Sequence, residues 1–364
     1  MKKILITAIL STLAMNASAQ DNAQSDFYVE GFEAWAQELK KMGDDISAHA
    51  TEAYVKDASG VIKKQGYIGA ELPLPKATKV ADGVYTIVGS QIWHNPSNFG
   101  LNNNISFIIF KDGVFVFNAG ANPAIAYSAH QQIKRITNKP VKWLAVENNQ
   151  GHAYLGASYW VDVGVKNLYS SAEANDVFDR AFDREYQEWG ERVGKILTHS
   201  ARNVTDKFTT FEGKMTVNVG GGETFELIDF GPGHTPASTS VYVPSRKLFL
   251  SGDLTFNERM PVMFNYTNSF DWMNSFEKMM KIIPADSKVI PGHGTPTDMQ
   301  TVKKQTYDYF RYLQKEIKQI VENGGTVEEA EAVDQSKYKD RPVFEQAAKN
   351  NAREIYKEIQ NGYF

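Results

Sequence analysis

DFGPGHTPAS, residues 229–238, is the stretch from which the fold is read. A strand-like run ends at Phe230. Gly231, Pro232 and Gly233 turn the chain, and His234 stands at the tip before Thr235 and Pro236. Glycines in such a turn let the backbone come close to something, and a histidine displayed there can ligate through a neutral ring nitrogen. Two later segments repeat the arrangement. In KLFLSGDLTF, 247–256, an apolar strand ends at Ser251-Gly252 and Asp253 follows; a carboxylate at the end of a buried strand is costly unless paired or bound to a cation. In KVIPGHGTP, 288–296, a short strand ends, Pro291-Gly292 turns the chain, and His293 comes next. Each segment is a weak signal alone. The ordered series G-P-G-H-T-P, S-G-D and P-G-H-G is a strong one.

Working outward, strands are expected at 84–89, 105–110, 114–118, 141–146, 167–169, 216–219, 225–230, 238–243, 247–251 and 288–290. ISFIIF and VFVFN, split by Lys111-Asp112-Gly113, read as a hairpin. Helices are expected over 123–136, 176–197 and 270–283, with two more over 301–322 and 341–360 around a break at Gly324-Gly325. Near the N-terminus Phe27, Phe32, Trp35, Leu39 and Met42 form an apolar stripe at helical spacing over 26–44. Strands come first in hairpins and then alternate with helices, which predicts two packed sheets with helices outside and a site at one sheet edge.

The first 20 residues, MKKILITAILSTLAMNASAQ, carry a basic start, an apolar run and an Ala17-Ser18-Ala19 cleavage signature. They read as a secretory signal peptide over residues 1–19, so the protein is expected to be exported, in bacterial style to a periplasm, with no stable membrane span. Removing Lys2 and Lys3 with no acid takes the formal net charge from −4 to −6, and nothing in that balance suggests a nucleic-acid partner. There is no cysteine. Thiolate ligands and Cys nucleophiles are therefore excluded, and any metal must be held by His, Asp or Glu.

On these motifs the sequence resembles the metallo-β-lactamase superfamily over roughly residues 80–300. The resemblance implies an α/β protein, an αββα four-layer sandwich, here with a C-terminal helical extension. The organisation it implies is a signal peptide at 1–19, an N-terminal helical segment at 20–75, the metallo-β-lactamase-like domain at 76–300 and the extension at 301–364. The family's ordered pattern is a D-x-G-like hairpin loop, a strand followed by H-x-H-x-D-H, then G-H-T, G-D and G-H. Asn118-Ala119-Gly120 stands at the first element, with Asn in place of Asp, and His234, Asp253 and His293 match the last three. The tail resembles that of exported relatives grouped with quinoprotein-associated metallohydrolases.

The second element is degenerate. AVENNQGHAYLGASYW, 145–160, falls where the family has H-x-H-x-D-H. In one register Asn148, Gln150, His152 and Ala153 take the four ligand positions; one residue later they are Asn149, Gly151, Ala153 and Tyr154. Either register loses at least three of the usual ligands. In the first, His152 replaces the family's aspartate and completes a set with Asp253 and His293, His234 lies close by, and Asn148 and Gln150 are placed to hydrogen-bond a substrate or water. Three protein ligands plus water is the usual make-up of a catalytic zinc site. In the second, His152 points elsewhere. The family's chemistry is metal-assisted hydrolysis, so the resemblance implies a hydrolase-type protein holding one zinc ion, with Asp253 and His152 in catalytic roles and an ester, lactone or amide-like small molecule as substrate. The other reading is a non-catalytic periplasmic binding protein on the same scaffold. Trp93 and Phe99, in an aromatic and amide-rich stretch, either line the cleft or pack on the sheets; His49, His130 and His199 read as ordinary surface or core histidines.

Overall fold

The computed structural model describes residues 71–363, together with Gln37, Lys40 and Lys41, which are helical. The expected signal peptide and the rest of the expected 26–44 helix lie outside the described residues. Two sheets form. The first has seven strands in chain order: β1 (Thr78–Ala81), β2 (Val84–Ile87), β3 (Ile105–Ile109), β4 (Val114–Phe117), β5 (Val141–Ala145), β6 (Asn167–Ser171) and β7 (Phe208–Phe211). Its first four strands are antiparallel, and β4 to β7 run parallel. The second runs β13-β12-β11-β10-β9-β8, built from β8 (Lys214–Asn218), β9 (Thr224–Ile228), β10 (Ser240–Val243), β11 (Leu248–Phe256), β12 (Lys288–His293) and β13 (Thr297–Asp298).

Side-chain alternation along the strands builds the layers. On β4, Phe115 and Phe117 face the second sheet, where they pack with Phe225, Leu227, Val241, Val243, Leu248 and Leu250. Val114 and Val116 face the other way, onto α1 (Pro123–Ile136). On the second sheet Tyr242, Phe249 and Phe256 face outward onto α6 (Ser269–Ile282), which presents Trp272, Met273, Phe276 and Met279. Between these come α2 (Gly151–Tyr154), α3 (Ala157–Asp162), α4 (Ala172–Val193) and α5 (Lys195–Thr198). The result is the four-layer αββα order that the sequence predicts. Strands buried on both faces account for runs such as VFVF, in which every residue is buried.

The C-terminal region packs on the outer core of the second sheet. After α7 (Met299–Val302) and one π-helical stretch at Lys303–Tyr307 come α8 (Asp308–Glu322), α9 (Val327–Glu331) and α10 (Phe344–Gln360). Phe310, Leu313, Ile317, Ala352 and Ile355 all enter the core that holds Trp272. None of the described helices is long and apolar enough to cross a membrane.

Two local expectations are corrected, and one alternative is decided. β11 does not end at Ser251 but continues to Phe256, and β12 continues through Pro291-Gly292 to His293. The glycines that read as turns are irregularities in one long parallel pair, with register shifts between Leu250 and Gly252 and between Gly252 and Phe256. Residues 151–154, which lie outside the helices expected from the sequence, form one helical turn. Phe99 packs in the first core beside Leu101 and Trp189.

Candidate metal centre

The centre lies where the ends of β5, β11 and β12 meet the loop after β9. Backbone and amide links tie the two sheets there. Asn148 bridges to Ser238, the Thr239 N–H donates to the Glu147 carbonyl, the Asn104 N–H donates to the Gly292 carbonyl at 2.8 Å, and Asn104 Nδ2 donates to the Pro291 and Gly294 carbonyls. Asn118 holds a left-handed backbone, φ +75°, which Asn tolerates better than most residues. Its amide joins the Asn104 carbonyl to the Glu147 N–H.

Asp253 is the hub. It is 1 % exposed, with His152 Nε2 at 3.5 Å and His234 Nε2 at 3.9 Å from Oδ2, and His293 Nε2 at 3.3 Å from Oδ1. His152, Asp253 and His293 offer ligand atoms within 4.8 Å of one another. Two glycines make the room. A Cβ on Gly292 would fall 2.2 Å from Asp253 Oδ1, and one on Gly252, at φ +57°, would fall 2.6 Å from Glu147 Oε2. His234 is set by its Nδ1, 2.9 Å from the Val262 carbonyl. That places the proton on Nδ1 and leaves Nε2 with its lone pair.

The amide-rich segment fills the remaining side. Asn148 Oδ1 accepts the Gln150 N–H in an Asx turn that opens α2. This aims Nδ2 at Asp253 Oδ2, 3.1 Å away, and at His152 Nε2, 3.3 Å away. Asn148 is fully buried and is spent on these partners. Gln150 Nε2 lies 3.3 Å from His234 Nε2 and donates to the Tyr266 hydroxyl.

Two ionisable residues that the sequence reading passed over also belong here. Glu147, fully buried, has Oε1 3.3 Å from His152 Nε2 and accepts from Asn103 Nδ2. It directly follows the apolar run KWLAV, the same strand-end signal that singles out Asp253. Arg259, 2 % exposed, places Nη1 2.7 Å from His293 Nδ1 and stacks on Trp93, with Cζ 5.1 Å from the ring centroid. Nothing in NERMP marks it in the sequence.

Burial dominates the electrostatics. It pushes Glu147 up to about 7 against hydrogen bonds from Asn103 and Asn118. Burial, then repulsion from Glu147, pushes Asp253 up to about 7. Burial lowers His152, takes His234 down to about 3, and holds His293 well below the usual imidazole range. Neutral imidazoles are the ligating form. The donor set fits a metal ion: Asp253 Oδ1 and Glu147 Oε2 are buried oxygens without a hydrogen-bond partner, and the three ligand atoms converge. One contact works against the ion, the guanidinium at His293.

The centre forms part of the wall of a cleft of about 640 Å³. His152, His234, His293 and Arg259 line it from within; Trp93, Phe264, Tyr266 and Trp189 supply aromatic surface, and Gln150 and Asn149 amide groups. Trp93 thus lines the cleft while also packing on the outer core. His130 bonds the Tyr159 hydroxyl at 2.8 Å and lies outside the cleft wall; His49 is outside the described residues.

No family model matches the chain. Solved structures do. A metallo-β-lactamase from Pontibacter korlensis aligns with TM-score 0.51 and 18 % identity, over 65 % of this chain and 98 % of that one. The DIM-1 metallo-β-lactamase exposed to ceftazidime aligns with TM-score 0.50 and 17 % identity, over 64 % and 96 %. The stereoselective inverting sec-alkylsulfatase Pisa1 from Pseudomonas sp. aligns with TM-score 0.58 and 14 % identity, over 80 % of this chain and 51 % of that one. At such identities the likeness is one of architecture, and it agrees with the layer order and the strand-edge position of the centre: this chain has the metallo-β-lactamase fold.

Proposed function

We propose that the protein is an exported metallohydrolase of the metallo-β-lactamase superfamily, cleaving an ester, lactone or amide-like small molecule at a centre that takes one metal ion, zinc by preference. The observation that carries this reading is the convergence of His152, Asp253 and His293 within 4.8 Å on the wall of a cleft. Three protein ligands with an open position are the composition of a catalytic zinc site. When bound, such an ion supplies Lewis-acid polarisation and a more acidic water.

The chain's own residues then have separate tasks. Asp253 Oδ1, lacking a hydrogen-bond partner, is the acceptor that holds the attacking water, and His152, between Asp253 and Glu147, positions it. His234 Nε2 and Gln150 face the cleft side by side and accept from and donate to the substrate's polar group. Asn148 keeps Asp253 oriented. The first register of the degenerate motif, with His152 at the aspartate position, agrees with the inward aim of His152. The N-terminal signal supports export to a periplasm, and the helical tail supports grouping with quinoprotein-associated relatives.

A second reading, a non-catalytic binding protein, is favoured by Asn148 Nδ2 and the Arg259 guanidinium, which already occupy positions beside Asp253 and His293. The two readings part in one experiment. Zinc-loaded protein is offered a panel of carboxylic esters, lactones, thioesters, β-lactams and sulfate esters, beside Asp253→Ala. Turnover lost on chelation and in the variant supports the hydrolase. Stable zinc binding with no turnover of any class overturns it and leaves the binding protein.

A further inference from the structure

Arg259 is a buried cation at the centre that the hydrolytic reading leaves without a task. Among the described residues it makes no ion pair with a carboxylate, and its Nε is buried without an acceptor. Its Nη1 stands 2.7 Å from His293 Nδ1 and 3.4 Å from His293 Nε2. A guanidinium has only N–H donors. The short contact is therefore attractive only when Nδ1 of His293 carries a lone pair, which moves the ring proton to Nε2. There it faces Asp253 Oδ1, 3.3 Å away, the oxygen with no hydrogen-bond partner of its own.

A ligating histidine needs the reverse arrangement: one ring nitrogen on the ion, the other donating its proton to a carbonyl or carboxylate. His234 is already set that way by the Val262 carbonyl. His293 has such an acceptor within reach in the Asn102 carbonyl, but the Arg259 guanidinium holds Nδ1. Two cations on one imidazole also repel across a poorly screened site.

We infer that Arg259 and a metal ion are alternatives at His293: the guanidinium holds the ring in its Nε2–H form and supplies the local positive charge, and it must release Nδ1 before His293 can ligate. This rests on the metal-centre reading above and adds to it a built-in competitor. The centre then loads from the His152 and Asp253 side first, and metal entry frees a guanidinium into the cleft. Trp93, on which that guanidinium stacks, reports the movement.

The test uses the full mature chain, stripped of metal, with ¹⁵N-labelled histidine for long-range NMR and zinc titration by calorimetry, beside Arg259→Met and Arg259→Gln. Metal-free wild type is expected to hold His293 as Nε2–H and to switch it to Nδ1–H on zinc binding. Arg259→Met is expected to bind zinc at least about tenfold tighter, the scale of one like-charge contact relieved. An Nδ1–H His293 in the metal-free wild type overturns the inference, as does unchanged or weaker zinc affinity in folded Arg259→Met and Arg259→Gln. Either of those results leaves the metal centre standing. Zinc binding by none of the three proteins overturns the inference together with the metal reading. Should both variants fail to fold, the wild-type tautomer decides alone.

Discussion

The two sides of the centre are built from different materials. On the second-sheet side, Asp253 projects from within β11 beside Gly252, His293 from the end of β12 beside Gly292, and His234 from a glycine-rich loop, and each is a potential ligand. On the first-sheet side, the segment from Glu147 to His152 offers one histidine and one carboxylate amid amides. Those amides aim N–H groups at the inner faces of the opposite side, Asn148 at Asp253 and Gln150 at His234. Where a second ion would need anionic or imidazole ligands, the chain has placed hydrogen-bond donors. On the function proposed above, this contrast is the reason for expecting one ion: one side carries the ligand chemistry, and the other carries polar contacts that hold those side chains in place.

Substitutions break or sharpen this contrast in a graded way. The largest effect is expected at the hub. Asp253→Ala removes the carboxylate that three histidines approach and should weaken zinc binding by more than about 100-fold, beyond the loss typical of residues that merely orient ligands; a titration that finds less than about a tenfold loss places the ligands elsewhere. Next is Gly252→Ala. Its Cβ would meet Glu147 Oε2 at 2.6 Å in a left-handed backbone, so a destabilisation of about 2–4 kcal/mol is expected in urea unfolding. Stability equal to wild type would mean that Glu147 is not held against that strand. Third, Asn148→Ala and Gln150→Ala should lower zinc affinity by no more than about tenfold, as orienting residues do. A loss matching that of Asp253→Ala would erase the difference between the two sides.

The smallest effect lies away from the centre and serves as its control. Glu358 on α10 accepts from the Ser269 N–H and hydroxyl, and burial pushes its carboxyl up to about 7. A folded-state value above the unfolded one means that the folded protein binds the proton more tightly. That contribution is complete below about pH 4.5 and is lost as pH rises through about 7. Glu358→Gln should therefore raise the thermal midpoint at pH 8 relative to wild type, by an amount worth on the order of 1 kcal/mol, and leave it nearly unchanged at pH 5. A gain of equal size at both pH values would assign the effect to packing rather than to ionisation.

Much of this architecture was legible in the residues. The two-faced burial of VFVF, and the alternation in SVYV and LFL, carry the layers because strand side chains point to opposite faces by geometry alone. His234, Asp253 and His293 stand out because a close approach needs glycine beside it. What failed were features set by distant partners. β11 and β12 run past their glycines because they pair with each other in parallel, and the pairing outweighs the local turn signal. Arg259 carries no signal in NERMP, and its burial depends on distant segments, among them the one that brings Trp93 over its guanidinium. Glu147 sits in a polar run that reads as loop, although the apolar strand before it carries the signal used for Asp253.

The central claim, one metal ion held with the help of His152, is tested most directly by the metal content of purified residues 20–364, measured by elemental mass spectrometry beside His152→Ala. The parent is predicted to hold about one zinc per chain, as a three-ligand site requires, and the variant to lose it. Two ions per chain, or none after zinc is offered, would contradict the claim.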